Sequence, residues 1–210
     1  MLLAITATVV GLAGRLPERS RVKRELAAAR VQRIAALADG TKVAIRGEVA
    51  VAAPGDTLVA PLTGRHCVYW LVTFDEVGVG GDYVELGRTE QGTPFLVKSE
   101  NVAARVVPDK PRIAVPGHET VQPISALRGQ AYDAMTRLAK AARMKKPNYP
   151  TSSSLRATEY IVSAGMPVTV VGWCTREPDP DAAADVSGYR TQLPTRPVIS
   201  GSRRTRLLIG

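Results

Sequence analysis

APLTGRHCVYW, Ala60 to Trp70, joins a Pro/Gly turn to a nearly continuous apolar and aromatic stretch that runs on to Phe74 and stops at Asp75 and Glu76. Pro61 and Gly64 punctuate the turn. Upstream, Thr41 to Val49 reads TKVAIRGEV and alternates as a half-buried strand does. Pro54-Gly55-Asp56 makes a turn, and Thr57-Leu58-Val59 leads back into Pro61. Strand, turn, strand is the unit from which the rest of the chain is read.

Downstream, Val77 to Gly81 is a Gly-interrupted loop and Tyr83 to Leu86 resumes pairing. Phe95 to Lys98 and Ala103 to Val107 form a hairpin across Ser99-Glu100-Asn101. Arg156 to Val162, a turn at Ser163 to Pro167, and Val168 to Trp173 repeat the strand, tight turn, strand pattern. Glu177 to Pro197 reads as a mobile loop, and Pro197 to Leu208 holds the closing strand. Two segments have helical character. Pro17 to Ala38 is rich in Ala, Arg and Leu, with Gly40 as its stop. Val22, Leu26, Ile34 and Leu37 share one side of it, but Arg30 and Arg33 intrude. In Pro123 to Lys146, Ile124, Leu127, Ala131, Met135, Leu138 and Ala142 make a clean apolar stripe. Arg137, Lys140 and Arg143 take the other side, and Lys145 and Lys146 close the helix where cations suit its dipole.

These elements predict an α+β fold dominated by β: an OB-like β-barrel with an N-terminal helix and an inserted amphipathic, basic helix. The expected organisation is an apolar segment over 1–16, a basic helix over 17–40, and a β-rich domain over 41–210. Eighteen Gly and fifteen Pro suit many turns and short strands. Lys and Arg number 28 against 19 Asp and Glu, a net charge of +9. That balance favours acidic partners, whether anionic lipid, nucleic acid or an acidic protein, without choosing among them.

The N-terminal run MLLAITATVVGLAG, Met1 to Gly14, carries no charge. It is shorter than the ~20 residues of a full helical crossing. Seven basic residues follow between Arg15 and Arg33. A secretory signal places its charge before the apolar run; here it comes after, as in an anchor whose domain stays on the cytoplasmic side. The competing reading is a first core element.

Chemistry-bearing residues are sparse. Cys67 and Cys174 sit in apolar runs and read as buried thiols. With His66 and His118 they give no zinc-ligand spacing. His66 and Cys67 are strand neighbours pointing to opposite faces, so they make no nucleophile–base pair. His118 falls in a Pro-Gly loop beside Glu119. Gly78 to Gly81 lacks the helix and Lys of a phosphate-binding loop. No catalytic constellation, metal site or cofactor site is expected, and the chain reads as a non-enzyme.

The order of these pieces resembles the GIDE domain, also called BAM ("beside a membrane"), of mitochondrial-anchored protein ligases and bacterial relatives. The residues that carry the resemblance are Gly47, Pro61, Leu62, Gly64, Cys67, Val68, Tyr69 and Gly172, with the Val-rich strand ending at Pro108-Asp109 and the Arg/Glu-containing strand from Arg156. The resemblance implies a membrane segment ahead of a β-rich module that recruits a protein partner. In the ligases a RING does the chemistry; these 210 residues have no ligands for one, so an effector would be a separate chain. The basic helix lies outside the resemblance, and Arg137, Lys140, Arg143, Lys145 and Lys146 are its candidate contacts for an acidic surface. The alternative is a nucleic-acid-binding barrel, with Tyr69, Trp70, Phe74, Tyr83 and Trp173 as stacking platforms.

Overall fold

The computed structural model describes residues 18–77, 83–120, 130–142, 155–180 and 194–210. In chain order these hold helix α1 (Glu18–Ala28), a short 3-10 turn (Ile34–Ala36), strands β1 (Thr41–Val51), β2 (Leu58–Val59), β3 (His66–Cys67), β4 (Tyr69–Val77) and β5 (Tyr83–Gly92). The hairpin β6 (Phe95–Ser99) and β7 (Val102–Val107) follows, then β8 (Arg112–Ile113), β9 (Gly117–Thr120) and helix α2 (Gln130–Ala141). Strands β10 (Leu155–Val162), β11 (Pro167–Pro178), β12 (Thr195–Ser200) and β13 (Leu208–Ile209) complete the chain.

Five strands close a barrel. β1 pairs with β6, β6 with β7, β12 with β11 and β11 with β1, all antiparallel, while β7 and β12 run parallel. Counted along the chain, the barrel strands neighbour one another in the order 1-2-3-5-4-1, the ordering of an OB-like barrel. The period-2 pattern explains the core. Val43, Ile45 and Val49 of β1 point inward with Phe95 and Val97, Ala104 and Val106, Val168 and Val170, Cys174, and Ile199. Gly47 and Gly172 fall on that same inward parity of the two long strands. A Cβ at Gly47 would overlap the Lys98 carbonyl, and one at Gly172 would lie 2.6 Å from Ile199 Cγ2. Only glycine lets the strands coil this tightly.

The second sheet, in the order β5-β4-β10-β9, is built from the two long connections of the barrel. β4 and β5 come from the link between the first and second barrel strands, β9 and β10 from the link between the third and fourth. The central strands of this sheet, β4 and β10, are buried on both faces. Tyr69, Leu71, Tyr160 and Val162 join the barrel core. Trp70, Val72, Phe74, Ala157 and Ile161 pack with Ala60 and Cys67 on the other side, under Leu138, Ala139 and Ala142 of α2 and its following residue. Double burial is why Cys67 to Phe74 reads as continuously apolar. On the barrel's outside, α1 lays Val22 and Leu26 over Ala44, Ala114, Val171 and Leu208.

Several expectations change. The predicted 17–40 helix stops at Ala28. Gln32 N donates to Ala44 O at 2.8 Å, and the chain runs extended so that Ile34 and Leu37 plug into the barrel core. This resolves the intrusion of Arg30 and Arg33 on the helical stripe: both are exposed once the helix ends. Gly40, with φ +68°, turns the chain into β1 and does not stop a helix. The run from Cys67 bends at Val68, whose N–H donates to Val162 O and whose carbonyl accepts from Thr93 N. Consecutive residues thereby serve different cores.

β10 and β11 lie in different sheets and form no hairpin; the Ser163–Met166 turn carries the chain from one sheet to the other. His118 belongs to β9, opposite Glu159, where a loop was expected. The predicted 177–197 loop is trimmed at both ends, since Glu177-Pro178 and Thr195 to Pro197 pair as β11 and β12. Its centre, 181–193, lies outside the described residues, as do the 1–16 segment and the ends of the 123–146 helix. The closing strand is divided into β12 and β13 by an exposed loop.

Candidate functional site

The Ala60–Gly64 turn is held at Leu62 by a carboxylate 97 residues away in sequence. Glu159, on β10 and fully buried, faces the same side as Ala157 and Ile161. It accepts Leu62 N at 2.8 Å through one oxygen and Thr63 N at 3.1 Å through the other. Gly64 adopts φ +70° and donates its N–H to Ala60 O at 2.9 Å, closing the turn. Pro61, Leu62 and Gly64 therefore form a socket for a buried charge that is satisfied by backbone amides.

Cys67 stands beside this socket with 2% of its surface exposed. Burial first, and the Glu159 charge second, push its thiol up to about 11. His66 points the other way and is exposed. A thiol this high is protonated at neutral pH and is no nucleophile. Cys174 is also buried and free, and burial raises it too. Tyr69, buried in the barrel core, donates its hydroxyl to Glu90; burial and that carboxylate both raise it.

A second cluster lies where the start of α1 meets both sheets, around a cleft of about 300 Å³. Glu18 pairs with Arg88 of β5 at 3.0 Å and with Arg112 of β8 at 3.0 Å. Glu85 holds the same Arg88 at 2.7 Å. These bonds, Glu85's ahead of Glu18's, outweigh burial and keep Arg88 firmly protonated. Arg19 lies 4.3 Å over the Tyr160 ring, donates to Tyr160 Oη at 3.2 Å, and reaches the Val115 carbonyl. Asp75 sits in the cleft with Thr73 Oγ1 at 3.2 Å. Burial, reinforced by the Glu85 charge, raises its carboxyl against the pull of Thr73, Arg156 and Arg88. Arg19, Arg88 and Arg112, with Glu18 and Glu85, thus clasp α1 to the domain. A sequence offers no sign of this, because the partners are scattered over Glu18, Arg88 and Arg112.

Of the candidate acidic-surface residues, Arg137 and Lys140 are exposed on α2, sharing that helix's outer side with Asp133 and Thr136. Leu138, Ala139 and Ala142 pack inward as the stripe requires. Arg143, Lys145 and Lys146 lie outside the described residues. Of the candidate stacking residues, Tyr69, Trp70 and Phe74 are buried. Trp173 is half-buried. Among the described residues no three His, Cys, Asp or Glu side chains gather to hold a metal, and no helix is long and apolar enough to cross a membrane.

No family model, curated protein or solved structure matches the chain. Geometry and chemistry carry the functional reading.

Proposed function

We propose that this chain is a non-catalytic scaffold or adaptor of the GIDE type, a barrel module held beside a membrane that binds a protein partner, with any effector supplied by a separate chain. The observation that carries the reading is the socket. Pro61, Leu62, Gly64, Cys67, the Arg/Glu strand and the Tyr69 strand, scattered over a hundred residues, meet at Glu159. Of the eight residues that carry the resemblance, Pro61, Leu62, Gly64 and Cys67 gather at this unit, while Gly47 and Gly172 shape the barrel.

The chemistry agrees. Both thiols are buried and raised, and in the charged cleft Glu18 and Glu85 are engaged by Arg88 and Arg112. Such internal pairing holds the first turn of α1 against β5 and β8. The nucleic-acid alternative loses support because three of its five stacking residues are buried in cores. The test is purification of the intact chain from native membranes in mild detergent, with mass spectrometry of what remains bound. A stoichiometric protein partner is expected. Recovery of the chain alone from the soluble fraction, or with nucleic acid as its companion, would reject the proposal.

A further inference from the structure

The loop between β12 and β13 reads GSRRTRL, Gly201 to Leu207, and it is built to display arginine. Ser202 Oγ accepts Thr205 N at 2.9 Å and Arg204 N at 3.3 Å, and Ser202 N donates to Thr205 O at 2.6 Å. This closed serine turn fixes the backbone. Arg203, Arg204 and Arg206 are all exposed, and so is Lys110, whose neighbour Asp109 has its carbonyl 4.0 Å from where a Gly201 Cβ would stand. None of these four cations has a side-chain partner among the described residues. Elsewhere Arg88, Arg105, Arg112 and Arg196 are each bound by a carboxylate. Four unpaired like charges on one short tip contribute nothing to folding and oppose it by mutual repulsion.

The position of the tip is informative. Arg112 N donates to Leu207 O at 2.8 Å, at the base of the loop, while Arg112 Nε pairs with Glu18 at 3.0 Å. The base of the loop and the first turn of α1 are thereby joined through one residue. The loop, with Asp109 to Pro111 beside it, contains no aromatic residue on which a base could stack.

We propose that Arg203, Arg204, Arg206 and Lys110 form the contact of this domain with the phosphate-bearing headgroups of an anionic lipid surface. The inference rests on the membrane reading above and assigns the face that meets the bilayer. It moves that contact from the α2 residues to this loop, where Arg203, Arg204 and Arg206 stand within a segment, 201–207, that carries no acidic residue.

The test is flotation of the intact chain with vesicles of phosphatidylcholine alone and of phosphatidylcholine mixed with phosphatidylserine. It compares wild type with the triple variants Arg203→Gln/Arg204→Gln/Arg206→Gln and Arg203→Lys/Arg204→Lys/Arg206→Lys. Each basic side chain near an anionic surface is worth roughly fivefold in binding, so the Gln variant should lose on the order of a hundredfold of its preference for the serine-lipid vesicles. The Lys variant should keep most of it, and both should bind neutral vesicles as wild type does, with unchanged unfolding midpoints. Undiminished preference in the Gln variant would overturn the assignment of this face while leaving membrane association standing. Failure of wild type to float with either vesicle would overturn both readings. Tighter binding of single-stranded DNA than of serine-lipid vesicles would overturn the choice of lipid.

Discussion

Replacing Glu159 isolates the contact that holds the Ala60–Gly64 turn against β10. The carboxylate is fully buried and accepts two backbone amides, Leu62 N at 2.8 Å and Thr63 N at 3.1 Å. Hydrogen bonds to a charged group contribute about 1.5–3 kcal/mol each, so the pair is worth about 3–6 kcal/mol. Removing the charge also relieves its desolvation, which offsets part of that sum. Glu159→Ala should therefore cost about 3 kcal/mol, a large share of the 5–15 kcal/mol typical of a domain. Glu159→Gln keeps one carbonyl acceptor and turns an NH2 toward the second amide, so about half that loss is expected. Urea unfolding followed by the fluorescence of Trp70, buried on the neighbouring strand, reads the effect as a midpoint shift of roughly 1–2 M for the Ala variant. Titration of Cys67 gives an independent signal. Its pKa, about 11 in wild type, should fall in Glu159→Gln as the neighbouring charge disappears, while burial keeps it above the ordinary thiol value. A loss under about 0.5 kcal/mol in Glu159→Ala, the size of an ordinary surface change, would refute the socket.

Gly47→Ala should destabilise by more than about 2 kcal/mol, because the new methyl meets the Lys98 backbone and not a flexible side chain; an unshifted melting temperature would contradict the barrel register. Cys67 is a thiol whose folded pKa is raised, so its contribution is complete below the unfolded value near 9 and is lost as pH climbs through about 11. Wild type should accordingly lose about 2–3 kcal/mol more than Cys67→Ala between those limits, and parallel stability–pH curves would argue against a buried thiol. Asp75 is raised by burial, so its ionised form opposes folding at neutral pH; Asp75→Asn should leave stability equal or higher at pH 7, and a marked loss would show that the cleft needs its charge.

Much of the barrel was legible because its signal is local. Alternation in TKVAIRGEV, the 95–107 hairpin and the inward parity of Gly47 all follow from a period of two, which a single sequence displays. The basic N-terminal helix misled because helical propensity extends past Ala28, while tertiary burial of Ile34 and Leu37 pulls the chain out of helical phase. The 155–178 segment misled for a related reason: a four-residue turn joins strands equally well within one sheet or between two. Glu159 carried a weak sign, a carboxylate between Thr158 and Tyr160 in a strand that is otherwise buried. Its partners lie 97 and 96 positions away, beyond any periodicity. The clasp of Glu18, Arg88 and Arg112 and the cross-strand triad of Arg105, Glu177 and Arg196 were equally hidden. In that triad burial alone would raise Glu177, but Arg196 and Arg105 outweigh it and hold the carboxyl low. Such pairings arise only once strands from distant parts of the chain are brought side by side.

Fractionating cells that express the intact chain or a form lacking Met1 to Gly14 asks whether the segment ahead of the barrel holds it beside a membrane, as proposed above. The intact chain should sediment with membranes and stay there through a high-salt wash that strips electrostatic contacts. The shortened form should move to the salt-washed supernatant with an unchanged circular dichroism spectrum and unfolding midpoint. Equal distribution of the two forms, or loss of folding in the shortened one, would contradict the account.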